Sequence, residues 1–125
     1  MHKRLLMLAA LLALFALSTL AGHAFADSYS VSMPTQCPSP NPPNEWGSAY
    51  LYNGSGSTIQ IKRWVNDSAS GKLYVDSTWQ NMSNGVQDDE VYIRHWPTDL
   101  LSVGWDVSGS PTGVSSGKNY DECRY

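Results

Sequence analysis

From Glu45 onward the chain breaks into short runs in which apolar and polar side chains alternate, each ended by Gly, Asn, Asp or Ser. A period of two sends successive side chains to opposite faces, the pattern of a half-buried strand. No apolar stripe at helical spacing lasts three turns in this part of the chain, so the class expected is all-β. A first strand is expected over 49–52, followed by a Gly- and Ser-rich loop at 53–57. Residues 58–66 set Ile59, Ile61 and Val65 against Gln60, Lys62 and Trp64, and a turn at 67–71 follows. Residues 72–78 oppose Leu73 and Val75 to Tyr74 and Asp76, and 80–89 read as a polar loop. Residues 90–96 place Val91, Ile93 and His95 inward and Tyr92, Arg94 and Trp96 outward, before a break at 97–99. The cleanest alternation, over 100–107, turns Leu101, Val103, Trp105 and Val107 inward. After a loop at 108–118, residues 119–125 are expected to close the sheet. Five to six strands at this spacing make a small antiparallel meander, barrel or sandwich.

Two segments precede this domain. Residues 1–26 have a basic start, an apolar run from Leu5 to Leu20 and the small-x-small ending Ala24-Phe25-Ala26, which together predict a cleaved signal peptide. The run is too short, and too promptly followed by the cleavage pattern, to predict a stable transmembrane span. Residues 27–44 hold five of the seven prolines and are expected to form a Pro-rich extended arm. The single β domain is expected over 45–125.

Without the leader, 99 residues remain, enough for one domain. They carry six basic and eleven acidic side chains, a net charge of −5. Nucleic-acid binding is excluded on this balance, because phosphates require clustered Lys and Arg. A basic partner suits the acidic surface. Leu, Ile, Val and Met together number only 17 in this stretch, thin for a core. Five Trp and seven Tyr offset the shortage, and both Phe fall in the leader. Each Trp and Tyr has a polar atom that needs a partner, so such rings fit either a small amphipathic core or an exposed binding platform. If the aliphatic residues face inward, Trp64, Tyr74, Tyr92 and Trp96 share an outer face with Lys62 and Arg94, a surface suited to stacking on sugar rings or gripping a protein.

Cys37 and Cys123 are the two cysteines. In an exported chain an even count predicts one disulfide. A metal site would need further ligands, and His95 is the one histidine outside the leader. Catalysis has little support: no nucleophile elbow, phosphate-binding glycine loop or zinc signature occurs. A triad would have to use His95, which is expected to face inward. Asp88, Asp89 and Glu90 are expected at a solvated loop end, although paired carboxylates there invite comparison with glycosidases. No cofactor is expected. Asn-x-Ser sequons stand at Asn53, Asn66 and Asn81.

The stretch Ser68-Ala69-Ser70-Gly71-Lys72-Leu73-Tyr74, followed by Gly85, resembles the Ser-x-Ser-Gly-x-x-Tyr signature of the periplasmic and membrane-bound inhibitors of C-type lysozyme. The resemblance implies a small all-β envelope protein in which a disulfide ties an early cysteine to a late one. It further implies that Ser70, on a tight loop with Ser68 and Gly71, inserts its hydroxyl between a lysozyme's catalytic carboxylates. The expected function is therefore that of an exported, periplasmic or secreted binding protein, with no enzymatic activity, whose partner is a hydrolase such as lysozyme. A glycan held on the aromatic face is the alternative, and a membrane-acting or cell-contact toxin a further one.

Overall fold

The computed structural model describes residues 26–95 and 101–125. Apart from Ala26, the expected signal peptide lies outside the described residues, as do Trp96 and the break at 97–99. The strands are β1 (Ala26–Met33), β2 (Asn44–Asn53), β3 (Ile59–Asp67), β4 (Gly71–Tyr74), β5 (Gln80–Met82), β6 (Gln87–His95), β7 (Leu101–Ser108) and β8 (Val114–Arg124). Eight strands thus stand where five to six were expected, and no helix occurs among the described residues. They form two antiparallel sheets. The larger runs β1, β7, β3, β4, with β5 also paired to β3, and the smaller runs β6, β2, β8. The arrangement is an open sandwich, not a closed barrel.

The strands that follow strict alternation behave as their sequences dictate. On β7, Leu101, Val103, Trp105 and Val107 are buried, and on β3 they meet Ile61 and Val65 in register, Ile61 opposite Val107 and Val65 opposite Val103. Ile59 on β3, Ala49 and Leu51 on β2 and Met82 on β5 belong to the same apolar cluster. Burying these side chains contributes roughly 25 cal/mol for each Å² removed from water.

The expected Pro-rich arm is extended, but its first part is a full member of the larger sheet. Residues 26–33 pair with β7 from Ala26 opposite Ser108 to Met33 opposite Leu101. Tyr29, Val31 and Met33 alternate there with Ser28, Ser30 and Ser32, and the three larger side chains pack against the core. The prolines begin only at Pro34, where a strand needing backbone donors has to stop. Cys37, just beyond, is bonded to Cys123 with the two Cα atoms 5.7 Å apart. Closing a loop of 86 residues by a cross-link stabilises a fold by about 4 kcal/mol on the chain-entropy argument.

The larger correction concerns β6. Val91 and Ile93 are 52 % and 54 % exposed, and His95 is exposed with its Nδ1 bonded to the Asn44 side chain at 2.9 Å. The opposite row, Asp88, Glu90, Tyr92 and Arg94, faces the interior. The expected inward and outward sets are therefore exchanged. A one-residue slip exchanges every side chain of a strand, and here the inward row is selected by charges already fixed elsewhere: Arg63 on the inner face of β3, and Glu45 on that of β2, which is 1 % exposed. Each needs an ionic partner from β6.

Candidate functional site

Three places bring chemistry-bearing side chains together. The first is the outer face of the larger sheet. Trp64 lies opposite Gly104 and Tyr74 in register, with Lys62 opposite Asp106 two pairs along on the same face. The Trp64 ring crosses Gly104 so closely that a Cβ there would stand 2.3 Å from Cζ2. Gly104 is what lets the indole lie flat. Trp64 is consequently only 4 % exposed despite its outward position, so it is not an exposed platform residue as expected. Lys72 Nζ sits 4.6 Å from the Trp64 ring centre and 5.0 Å from that of Tyr74, and Lys62 Nζ is 5.1 Å from Tyr74 and 5.7 Å from Trp79. Cation–π attraction of this kind holds the ammonium groups over the rings. Asp106 gathers the donors: Trp64 Nε1–H at 3.1 Å, Ser28 at 3.2 Å, Lys72 at 3.3 Å and the Tyr74 hydroxyl. Burial works to raise its pKa, but the Tyr74 hydrogen bond and the Lys72 charge outweigh it and hold the carboxyl below its ordinary value. The ring surfaces that a sugar would stack upon are thus already in contact with cations.

The second place is the tip of the β3–β4 hairpin. Asp67 organises it: Oδ1 accepts from the Ala69 N–H at 2.9 Å and the Ser70 N–H at 2.5 Å, and the Ser70 hydroxyl lies 2.7 Å from both carboxylate oxygens. Such side-chain-to-backbone bonds reproduce a turn without cross-chain partners. Backbone and side-chain bonds from Ser70 lower the Asp67 pKa. Gly71 has φ +74°, a conformation that L side chains rarely adopt, with open space around its Cα. Ser68, Ala69, Ser70 and Gly71 are all exposed. The hydroxyl of Ser70 donates to Asp67, so the tip presents acceptors outward.

The third is a charge cluster between the sheets. Arg63 Nε lies 2.7 Å from Asp88 Oδ2 and 2.7 Å from Glu90 Oε1, while Nη1 reaches Asp76 at 3.0 Å. Trp105 Nε1–H adds a bond to Asp88 at 2.8 Å. Burial, then the adjacent Asp88 charge, pushes Glu90 up to about 7. Asp88 moves the other way, because its bonds from Arg63, Trp105 and Glu90 overcome burial. Tyr92, beside them, is raised by burial and by the carboxylates. A second, similar set lies farther along the interior. Arg94 donates to Glu45 at 2.6 Å, and Glu45 is pushed up to about 7 by burial and by its hydrogen bond with Asp121. Carboxyl pairs with separated pKa values also mark acid–base catalysts. In this protein Asp88 and Glu90 are hydrogen-bonded to each other and clamped by one guanidinium, whereas glycosidase carboxyls stand about 5 Å or more apart with substrate between them. The cluster joins two sheets and leaves no such gap.

No family model, curated protein or solved structure matches the chain. Function has to be read from the geometry. Among the residues expected to form a site, Trp64, Ser68, Ser70, Gly71 and Tyr74 fall together on one hairpin. Tyr92 and Arg94 do not join them: both face the interior from the other sheet, Tyr92 packed against the core and Arg94 bonded to Glu45 and to the Met33 carbonyl. Trp96 lies outside the described residues. Asp88 and Glu90, expected in a solvated loop, are on β6 and turned inward.

The sequence reading missed Asp67 and Asp106, the residues that order the hairpin tip and its stem. An Asp two residues before Ala69 and three before Ser70 is a legible turn signal, whereas Asp106 is found only once β3 and β7 are paired. Also missed were Trp46 and Tyr120, on the outer face of the smaller sheet, whose rings lie 5.2 and 4.7 Å from the Arg124 guanidinium. Among the described residues no group of three or more His, Cys, Asp or Glu is placed to hold a metal ion, and no helix is long and apolar enough to cross a membrane. A shallow groove between the 57–60 segment and residues 108–111 holds no titratable side chain.

Proposed function

We propose that the protein is an exported binding protein that grips a protein partner through the β3–β4 hairpin, in the way an inhibitor of a basic hydrolase such as a lysozyme does. The observation that carries this reading is a loop whose tip, 68–71, is exposed and internally bonded, with the half-buried Asp67 holding Ala69 and Ser70 in place. A preordered loop loses little conformational freedom on docking, so its contacts translate into affinity. The stem adds apolar contact area, since Leu73 and Val75 are 54 % and 60 % exposed beside the tip. The Asp67 carboxylate and the free lone pairs of Ser70 favour a donor-rich, positively charged docking surface, and the net charge of −5 outside the leader speeds encounter with it. A glycan partner has less support, because Lys62 and Lys72 occupy the Trp64 and Tyr74 rings.

Calorimetric titration of the oxidised domain into a basic C-type lysozyme, with an activity assay on the same samples, tests the reading. Asp67→Ala and Ser70→Ala should each weaken binding about tenfold, the equivalent of 1.4 kcal/mol, without lowering the unfolding temperature by more than about 2 °C. Wild-type protein that neither binds nor inhibits any basic hydrolase offered, or variants that bind as the wild type does, would refute it.

A further inference from the structure

The two sheets differ in width by one strand. Across the larger sheet the columns are β1, β7, β3 and β4, and across the smaller they are β8, β2 and β6. β8 is tied beside β1 by the disulfide and by the Thr35 N–H, which donates to Asp121 at 3.0 Å. At the other side β6 is tied over β3 by Arg63. The columns therefore match one for one until β4, which has no strand of the smaller sheet above it. Leu73 shows the consequence: it pairs with Val65 on the inner side of the sheet, yet is more than half exposed. Farther along β3, the β5 position is covered, because Asn53 and the 83–86 turn fold over Met82, which is 4 % exposed. Nothing comparable covers β4 among the described residues. Among the described residues the backbone edge of β6 over Gln87–Ile93 is paired on the β2 side alone, and its other side looks over the same space.

We propose that this step between β6 and β4 is a strand-acceptor site. An extended segment of a partner protein, alternating apolar and basic side chains, adds to β6 as a fourth strand of the smaller sheet and lays its apolar row on Leu73 and Val75. The inference deepens the reading of the hairpin as a protein-binding element and rests on it. An added strand lies about 4.8 Å from its neighbour, so the open β4 column accommodates one strand and no more. A second copy of this chain does not fit. Antiparallel pairing of two β6 edges brings both larger sheets to the same side, and the partner's β3 would need the place that β4 occupies. The basic character of the occupant follows from charge. Asp67, Asp76, Asp88 and Glu90 border the step, and the single cation Arg63 is shared among three of them. Main-chain bonds to a free edge supply affinity in strand addition, and alternate side-chain contacts supply selectivity.

The test uses the full oxidised domain, isotope-labelled, titrated with a capped octapeptide of alternating Val and Lys. Controls are the Val/Glu peptide and a Val/Lys peptide N-methylated on alternate amides. The expected result is at least tenfold slower hydrogen exchange at β6 amides, with shifts of the Leu73 and Val75 methyl resonances. The Val/Glu and N-methylated peptides should bind at least tenfold more weakly, as should the doubly substituted Leu73→Ser, Val75→Ser protein, whose changes fall at exposed positions. Absence of β6 protection at millimolar Val/Lys peptide, or equal binding of the Val/Glu peptide, overturns the proposal. Asp67→Ala separates the two readings. If that variant loses hydrolase binding while β6 stays unprotected in the wild-type complex, the hairpin reading stands and strand addition fails. If β6 is protected and Asp67→Ala binds normally, strand addition stands and the hairpin tip is not the contact.

Discussion

Replacing Arg63 by Met keeps the length and most of the apolar bulk of the side chain and removes the guanidinium that ties β6 to β3. The guanidinium makes contacts of 2.7 Å to Asp88, 2.7 Å to Glu90 and 3.0 Å to Asp76. After the change Asp88 keeps its bond from Trp105 Nε1 and Asp76 keeps its bond from the Arg63 backbone N–H, because neither donor is altered. Among the described residues Glu90 has no such second donor and is left against Asp88. Removing one partner of a buried ion pair costs about 3–5 kcal/mol, and the lower end applies here because the Arg63 side chain is 25 % exposed. The loss depends on pH. Glu90 has its folded-state pKa raised to about 7 from an ordinary 4.5, so the folded protein holds more protons than the unfolded chain between these values. Below about pH 5 the group is a neutral acid and little repulsion remains to be relieved. Arg63→Met should therefore cost about 3 kcal/mol at pH 8 and at least about 1 kcal/mol less at pH 5. Urea unfolding at the two pH values, followed by tryptophan fluorescence, measures both numbers, and adding Glu90→Gln should recover about 1 kcal/mol at pH 8. Equal losses at pH 5 and pH 8, or a loss below about 1 kcal/mol at pH 8, would show that the cluster does not hold the sheets together.

The wild-type protein should itself become more stable as pH falls from 8 to 5, since Glu45 and Glu90 both have folded-state pKa values raised to about 7. The gain is about 1–3 kcal/mol for each group, and Glu45→Gln should flatten the part due to Glu45 in a calorimetric pH series. Below about pH 4 stability should fall again, because Asp88 and Asp121 have lowered pKa values and lose their bonds on protonation. Gly104→Ala should lower stability by about 3 kcal/mol, because the new Cβ would stand 2.3 Å from the Tyr29 carbonyl oxygen as well as from Trp64; thermal unfolding and the loss of Trp64 burial by fluorescence check it. Replacing both cysteines by Ser should cost about 4 kcal/mol in urea unfolding, with the larger effect on the unfolding midpoint and little on the exposed hairpin.

The elements legible in the sequence were those whose alternation ran undisturbed. β7 and β3 could be placed to within a residue or two, and every aliphatic residue assigned to their inner rows is on that side. β1 was hidden by context: its alternation of Ser with Tyr29, Val31 and Met33 is regular, but the prolines that follow made the whole segment read as an arm. The misreading of β6 and the neglect of Arg63 were one error. Arg63 falls on the same row as Ile59, Ile61 and Val65, and a guanidinium on an inner row requires carboxylates facing it. Asp88 and Glu90 offer them only if Val91 and Ile93 point out. Hydrophobic alternation taken alone therefore chose the wrong face, and charge pairing corrects it. At the hairpin, the turn at 67–71 is legible from its Asp, Ser and Gly residues, whereas burial of Trp64 is not, since it depends on a glycine 40 residues away brought alongside by pairing.

The polar interior and the open step have a common origin in composition. Seventeen Leu, Ile, Val and Met side chains in residues 27–125 are too few to fill the whole space between two sheets, and the sandwich is apolar only in part. Its remainder is filled by Arg63, Arg94 and the carboxylates around them, groups that stabilise little in net terms but penalise any other register. A β6 shifted by one residue would bury Val91 and Ile93 and leave Arg63 without Asp88 or Glu90, which costs more than two aliphatic side chains gain. The disulfide supplies, through the unfolded state, stability that such an interior does not. It can do so only on the β1 and β8 side, where Cys37 and Cys123 lie. The opposite side is left with ion pairs in place of a covalent closure and with a β4 face that no strand among the described residues covers. The weaker of the two closures is thus also the one that carries the exposed apolar residues and the preordered hairpin tip, which is why a binding partner is expected to approach from there.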